Sequence, residues 1–244
     1  MQNYPVDKRL LLIVAILIIA SYFVLLAGAN VVDSIIREDG LIENVGTIGF
    51  FVAFICFLLA FWQARQQPDR YSLLKQLAYL GLAGLFFVIV GEEISWGQRI
   101  FDFATPEGLR EVNTQDEFNF HNLEVIQHNS FLNTDRLFAL FWIGYMLFLP
   151  LTAVLYKPFG KWIGQWLPIM PLLLGLLFLL NYGVANIVRP AFSQTDLYQS
   201  IYPLPHSVVE LKESVYGILY AIVGIYVLRF ISSEKADSAQ DALA

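Results

Sequence analysis

Six long apolar runs separated by short polar segments make up most of the chain. They lie at about 10–30, 45–64, 73–97, 136–156, 166–188 and 207–231. Each run approaches the roughly 20 residues that a helix needs to cross about 30 Å of hydrocarbon. The pattern predicts an all-α polytopic membrane protein whose six-helix transmembrane bundle is a single domain over residues 1–231. The small polar tail over 232–244 is predicted to be disordered.

The composition supports lipid as the solvent of these helices. The chain is 57% hydrophobic and 15% charged, whereas soluble domains average about 45–50% apolar and about 25% charged residues. The single cysteine, Cys56, excludes an intramolecular disulfide, and its place within the second run predicts a small core residue. Lys8 and Arg9 precede the first run as in a signal peptide. The run exceeds the apolar length of about 7–15 residues typical of such peptides, so we expect a retained helix.

Basic residues are divided unequally between the two ends of the predicted bundle. The end with the N-terminus holds nine of the 15 Lys and Arg and five of the 21 Asp and Glu, which leaves six basic and sixteen acidic residues at the other end. The positive-inside rule then predicts cytoplasmic N- and C-termini, in a bacterial inner membrane, and an extracytoplasmic acidic end. Nucleic-acid binding is not expected, because the chain has no basic stripe.

The third run carries carboxylates near its end. Glu92 and Glu93 precede the point where a helix would leave the lipid, and a charge in that place costs several kcal/mol unless it is paired or hydrated. On a continuous helix, Glu92, Trp96 and Arg99 share one face, with Glu93 about 100° away. Two interpretations stay open: an interfacial ion network of Glu92 with Arg99, or a site in which one glutamate is a base or metal ligand while the other pairs with Arg99.

The sixth run begins with a second polar stripe. His206, Glu210 and Glu213 follow one another at helical spacing and therefore share a face. An imidazole and two carboxylates can bind a divalent cation or share a proton. The alternative is that acidic residues occur here because they favour a helix N-terminus.

The segment between the third and fourth runs carries the other two histidines. Thr114 and Glu117 fit a capping box, which predicts a helix to about Asn129. Such a helix would align Glu117, His121, Glu124 and His128 on one face. We therefore expect an extracytoplasmic helical or re-entrant segment between helices 3 and 4. The two histidines are equally compatible with structural hydrogen-bonded residues.

Other residues complete the expected picture of this end and of the helix contacts. Glu43, Asn186 and Arg189 are predicted near the same end, and Arg189 would either hold an anionic group or act as a snorkelling anchor. Small residues predict close approach between helices. They are Gly46, Gly49 and Ala53 in the second run and Gly81, Gly84 and Gly91 in the third.

Two motifs carry a resemblance to known families. Glu92-Glu93-Ile94-Ser95-Trp96-Gly97-Gln98-Arg99, followed by Asn119-Phe120-His121-Asn122-Leu123, resembles a family of uncharacterised bacterial multi-pass membrane proteins, which implies no activity. The order is also loosely similar to the CAAX-protease and bacteriocin-processing (Abi) family of intramembrane enzymes. The pattern of that family is two glutamates then arginine, Phe-x-x-x-His, and His-x-x-x-Asn.

Each element of the second pattern departs from that family. Five residues rather than three separate Glu93 from Arg99, Phe118 lies three rather than four positions before His121, and Glu210 stands where the asparagine would follow His206. No residue role is therefore carried over. The resemblance implies only a general chemistry, in which a glutamate near histidines activates water to hydrolyse an amide or ester presented from the bilayer.

These patterns predict an integral membrane enzyme with an extracytoplasmic Glu/His site. It would be a metal-assisted or acid/base hydrolase or transferase for a lipid, lipid-linked or membrane-anchored substrate. Glu92, Glu93, Arg99 and Glu210 are the predicted catalytic residues, and His121, His128, His206 and Glu213 the predicted ligands of a divalent metal ion. Two other classes stay open: an assembly subunit that docks a membrane-protein partner, and a proton-coupled transporter.

Overall fold

The computed structural model describes residues 7–36, 40–66, 69–129, 131–193 and 204–241. The first half contains α1 (Lys8–Ser21), which continues as a 3-10 turn (Tyr22–Leu26), then α2 (Ala29–Ile36), α3 (Leu41–Arg65) and α4 (Ser72–Glu93). A 3-10 turn (Ser95–Gly97) and three short helices follow: α5 (Gln98–Phe101), α6 (Glu107–Arg110) and α7 (Glu124–Gln127). The second half contains α8 (Thr134–Trp142), a π-helical turn (Ile143–Phe148), α9 (Leu149–Leu155), α10 (Lys157–Ile163), α11 (Leu172–Ser193) and α12 (Leu204–Asp241).

Six helical spans among the described residues are long and apolar enough to cross a membrane. They are Lys8–Leu26, a second span that contains α3 (Leu41–Arg65), and Ser72–Glu93, Thr134–Leu155, Leu172–Ala191 and Ser207–Ser232. No β-strand occurs in this part of the chain. The prediction of an all-α, six-helix polytopic bundle is therefore confirmed. The direction in which the bundle crosses the membrane stays a prediction.

Some helix boundaries differ from those that hydropathy predicts. The third span ends at Glu93 rather than at 97, because a left-handed turn follows it. The fifth begins only at Leu172, after Pro168 and Pro171, since a proline disfavours helical geometry in the residue before it. The sixth helix extends beyond the predicted boundary at 231, through part of the tail predicted to be disordered, as far as Asp241. The division into one domain and a tail stays a prediction.

The contact between α3 and α12 is made by small residues. A Cβ built on Gly46 would lie 2.6 Å from Ser214 Cα, and one on Gly224 would lie 2.9 Å from Cys56 Cβ. Neither position has room for a side chain, so the two backbones touch, as the small residues of the second run predict. In the third run, by contrast, added Cβ atoms at Gly81 and Gly84 would meet no heavy atom within 4 Å. The prediction of a helix contact at these two glycines is wrong.

Aromatic rings fill the core between α4, α8, α11 and α12. The Tyr220 ring centroid lies 4.8 Å from that of Phe86 and 4.7 Å from that of Phe178. One buried amide also joins three elements. The Tyr22 hydroxyl donates to Asn181 Oδ1 at 2.8 Å, and Asn181 Nδ2 donates to the Lys212 carbonyl oxygen at 2.9 Å. This pair of bonds ties the end of the first span and α11 to α12.

Candidate functional site

A polar cavity of about 320 Å³ lies where α4 ends and α8 and α12 begin. Seven of its lining residues are acidic: Glu43, Glu92, Glu93, Glu117, Asp135, Glu210 and Glu213. The remainder are Thr114, Gln115, His121, Asn122, Gln127, Thr134 and Val209. The cavity thus combines residues from α3, α4, α8, α12 and the segment 98–129. All of these regions except α8 contain acidic or histidine residues that the sequence singles out.

An apolar groove of about 370 Å³ adjoins this cavity. Phe50, Leu85, Val88, Ile89, Leu137, Phe138 and Phe141 form its apolar wall. Six residues line both spaces: Glu92, Glu93, His121, Thr134, Asp135 and Glu213. A molecule with an apolar chain in the groove would therefore place its polar end beside these six side chains.

Glu92 is the carboxylate around which the site is organised. Its Oε1 accepts a hydrogen bond from the Trp96 indole Nε1 at 2.6 Å. Its Oε2 accepts from the backbone N–H groups of Phe120 and His121, each at 2.8 Å, and lies 3.2 Å from His121 Nδ1. Only 14% of the Glu92 side chain is exposed, so these bonds replace water as its partners. Glu92 thereby fixes the position of His121.

His121 is held in a strongly acidic environment. Burial alone would lower the pKa of the His121 imidazole, because it disfavours the charged form. The hydrogen bond with Glu92 and the charges of Glu93 and Glu213 outweigh burial, so the pKa of His121 is raised above its ordinary value. Because Nδ1 faces Glu92, Nε2 is the ring nitrogen left to exchange a proton with a bound molecule.

A strained turn brings Trp96 back over α4. Ser95 and Trp96 have φ values of 47° and 51°, and Gly97 has a φ of 87°. Non-glycine residues in the left-handed region cost roughly 1–3 kcal/mol each and persist only where surrounding contacts hold them. The contacts here are the Trp96–Glu92 bond and a bond from the fully buried Ser95 hydroxyl to Glu117 Oε2 at 3.1 Å. Trp96 thus meets Glu92 through this fold-back, not along a continuous helix as the sequence predicts.

The helix predicted from Thr114 to Asn129 is wrong, because only Glu124–Gln127 is helical there. Asn113 Oδ1 accepts from the backbone N–H groups of Gln115 and Glu117, and Asp116 adopts a φ of 57°. The Phe118 N–H donates to Gln98 Oε1 at 2.6 Å rather than to a helical carbonyl. Since the backbone donors are used for turns and for the end of α4, the stripe of Glu117, His121, Glu124 and His128 does not form.

The predicted site residues divide into three groups. Glu92, Glu93, Glu210, Glu213 and His121 all line the polar cavity. His128 does not: it is exposed, and its Nδ1 lies 3.0 Å from the carbonyl oxygen of Glu124 within its own helix. The side chains of Arg99 and His206 lie outside the described part of the chain, so the roles predicted for them stay predictions.

The predicted metal site is not assembled by the described residues. No group of three or more His, Cys, Asp or Glu side chains among them has an arrangement that could hold a metal ion. His128 faces away from the cavity that His121 and Glu213 line. The described residues therefore do not support the metal-ligand roles predicted for His121, His128 and Glu213.

Of the three other residues predicted near this end, one lines the cavity and two do not. Glu43 lines the polar cavity. Asn186 donates to the carbonyl oxygen of Tyr182 in its own helix at 2.8 Å, and Arg189 is exposed, and neither lines the cavity or the groove. Sequence reasoning missed Asp135, which stands in the first turn of α8 and lines both spaces. An acidic residue at the start of an apolar run was the available signal.

The chain matches no protein-family model, no curated protein and no solved structure. Fold and geometry together describe an integral membrane helical bundle. In it, a carboxylate-rich cavity and an apolar groove meet beside Glu92 and His121.

Proposed function

We propose that the protein is a membrane-embedded acid/base enzyme that hydrolyses or transfers an acyl group of a lipid or membrane-anchored substrate. One observation carries the proposal: Glu92 Oε2 lies 3.2 Å from His121 Nδ1, and both residues line the polar cavity and the apolar groove. A carboxylate that orients an imidazole through Nδ1 is the arrangement that makes Nε2 an effective general base. Glu92 therefore orients the base, and His121 is the base itself.

The reaction that fits this arrangement needs only water or a second hydroxyl as co-reactant. Nε2 of His121 takes a proton from water while the water oxygen bonds to the carbonyl carbon of an ester or amide. The tetrahedral intermediate then collapses, its bond to the leaving oxygen or nitrogen breaks, and the imidazolium returns the proton to that atom. The products are an acid and an alcohol or amine. In a transferase, the hydroxyl of a second substrate replaces water.

The surrounding negative charges favour the protonated form of His121. Glu93 and Glu213 both raise the pKa of His121, so they stabilise the imidazolium that forms as the proton is taken. Glu93 is thus assigned an electrostatic role instead of the role of base. Because a base must be unprotonated, kcat/KM should rise as pH rises through the pKa of His121, which lies above the ordinary value of about 6.5.

The apolar wall of the groove supports the proposal that the substrate is part of the bilayer. Its apolar wall comes from α3, α4 and α8, three elements that belong to membrane spans. Val88 is 47% exposed and Leu137 is also 47% exposed, so both contribute apolar surface where the helices face lipid. A substrate with an acyl chain can lie along this wall, because burying each CH₂ group contributes about 0.8 kcal/mol. Its carbonyl end then reaches His121.

The proposal is tested with the purified full-length protein and a membrane lipid extract. Mass spectrometry of the extract before and after incubation identifies any lipid that is consumed. His121→Gln should lower kcat/KM for that lipid by about 10²–10⁴-fold, the usual contribution of a general base. Glu92→Gln should lower kcat more than it raises KM, because it removes the charge that orients the imidazole.

His128→Gln is the matched control, since His128 lies on the same segment but is exposed and outside both spaces. Its turnover should equal that of the unmodified protein. Full turnover by a folded His121→Gln variant, or no change in any lipid, would overturn the proposal.

A further inference from the structure

Among the described side chains, the apolar groove ends at carboxylates rather than at basic residues. Of the six residues that line both the groove and the cavity, four are acidic: Glu92, Glu93, Asp135 and Glu213. Beyond them, Glu43, Glu117 and Glu210 line the rest of the cavity, and His121 is the only other ionisable side chain there in the part of the chain that the structure describes. A molecule whose apolar chain fills the groove therefore presents its head to acidic groups.

Ion pairs with nearby basic residues leave an acidic excess at this end. Lys212 Nζ lies 3.8 Å from Glu213 Oε1, and Arg110 pairs with the exposed Asp116 at 3.7 Å. The sequence predicts six basic and sixteen acidic residues at this end, so ion pairs can neutralise at most six of the acidic ones. The excess therefore persists whichever further pairs form. In a partly buried cavity, such an excess attracts cations and repels phosphate and carboxylate groups.

We propose that the groove and cavity together bind an amphiphile with an acyl chain and an ammonium head. This deepens the proposed function, on which it rests, by naming the substrate class: a cationic lipid or a lipid-anchored amine. The chain lies against Phe50, Ile89 and Phe138, and the ammonium group is held by the carboxylates beside His121. An ammonium group donates charge-assisted hydrogen bonds to carboxylates, which are about twice as strong as neutral ones.

Neither the cavity nor the groove offers a described basic side chain to an anionic head. Arg189, for which the sequence leaves open an anionic ligand or a role as a snorkelling anchor, is exposed and lines neither space. Arg136 is exposed as well and is absent from both linings. Among the described side chains, no lysine or arginine lines the cavity. The lining that the structure shows is therefore complementary to a cation.

The test compares three amphiphiles that share one saturated chain and differ only in the head: a primary amine, an alcohol and a carboxylic acid. Native mass spectrometry of the full-length protein in an uncharged sugar detergent counts each bound molecule at neutral pH. The amine should bind at least about tenfold more tightly than the alcohol, since hydrogen bonds to charged groups contribute about 1.5–3 kcal/mol. The acid should bind least tightly.

Two pairs of variants separate the chain from the head. Val88→Trp places a large ring in the groove and should weaken all three ligands. Leu80→Trp is its control, because Leu80 lies on the same helix with 46% exposure, against 47% for Val88, but lies outside the groove. Asp135→Asn should weaken only the amine. Asp102→Asn, an exposed site outside the cavity, should change nothing.

The possible failures are distinguishable from that of the proposed function. Equal binding of amine and alcohol, or tightest binding of the acid, would overturn the cationic head. Equal effects of Val88→Trp and Leu80→Trp would overturn the groove as the chain site. These measurements of binding require no turnover. Affinities in the order amine, alcohol, acid, with no lipid consumed, would therefore refute the acid/base enzyme while supporting the cation site.

Discussion

The α3–α12 contact and the segment 94–129 are held in place by opposite means. In the contact, Gly46 and Gly49 touch the backbone of α12 at Ser214 and Gly217. The attraction is dispersion between closely packed atoms, summed over two long helices. The segment 94–129 has little apolar packing of this kind and is exposed over much of its length. It is attached to α4 through hydrogen bonds to Glu92 from the Trp96 indole and from the backbone N–H groups of Phe120 and His121.

The α3–α12 contact therefore contributes mainly to stability, whereas the segment 94–129 contributes mainly to the proposed function. Inserting a bulky group between the packed helices lowers the free energy of unfolding. Many different sequences can form such a contact, provided that their side chains have the right sizes. The segment depends on single polar atoms at the end of α4, so one substitution can release it while the bundle stays folded. Glu92, whose substitution would release the segment, also lines the cavity. The position of the segment is therefore coupled to the proposed chemistry.

The largest effect is expected from Gly49→Leu. A Cβ at Gly49 would lie 2.7 Å from Ile218 N and would also overlap the Gly217 carbonyl group, so α3 and α12 must separate. We expect a loss of about 3 kcal/mol or more of unfolding free energy, the upper end for an overpacked core. Thermal unfolding in detergent measures it.

Gly81→Leu is the control for this substitution, because an added Cβ at Gly81 would meet no heavy atom within 4 Å. It should leave stability unchanged or raise it slightly, since glycine is a poor helix former. Equal destabilisation by both variants would refute the glycine contact as the closely packed region.

The next largest effect is expected from Glu92→Ala, and it should be local. Trp96 Nε1 and the N–H groups of Phe120 and His121 lose their acceptor, and a hydrogen bond to a charged group contributes about 1.5–3 kcal/mol. Hydrogen exchange of the Phe120 and His121 amides should accelerate, whereas exchange in α3 and α12 should not. The exposed Glu124→Ala is the control, and slow exchange of both amides in Glu92→Ala would contradict the attachment.

A smaller effect is expected from pH. The pKa of His121 is raised in the folded protein, mainly because the Glu92 hydrogen bond and nearby acidic charges outweigh burial. A raised pKa means that the protonated form is stabilised by folding, so this contribution is complete below the unfolded pKa of about 6.5. It is lost as pH rises through the folded pKa.

Limited proteolysis within the segment 94–129 of the unmodified protein should therefore become faster as pH rises from about 6.5 through the raised pKa of His121. The change should be smaller than in Glu92→Ala, because the two backbone bonds to Glu92 remain. In His121→Gln the same pH dependence should disappear. A slower rate at higher pH would show that the sign is wrong.

The smallest effect is expected from Tyr220→Phe. The Tyr220 hydroxyl is buried and has no hydrogen-bond partner among the described residues, so its removal should leave stability unchanged or slightly higher. Tyr22→Phe is the comparison, because its hydroxyl donates to Asn181 at 2.8 Å and its loss should cost about 1–2 kcal/mol. Thermal unfolding of both variants checks the contrast, and equal losses would refute it.

Much of the architecture was predictable from the sequence. Each span can be recognised from the length of its apolar run, since lipid requires every backbone group to be hydrogen-bonded within its own helix. Gly46 and Gly49 also predicted a close helix contact correctly, because small residues leave the backbone accessible. The same reasoning was wrong for Gly81 and Gly84, where the local pattern does not say which face meets a neighbour.

The site was predictable only as a set of residue types at one end of the bundle. The sequence by itself determined that Glu92, Glu93, Glu210, Glu213 and His121 lie near that end, because the helix lengths and the cost of charge in lipid place them there. Tertiary structure decided that Glu92 holds His121 while His128 faces away. It also decided that Trp96 folds back and that an apolar groove meets the acidic cavity. The position of His121 depends on backbone donors that bond across 20 or more residues, and such pairings leave no periodic trace in the chain.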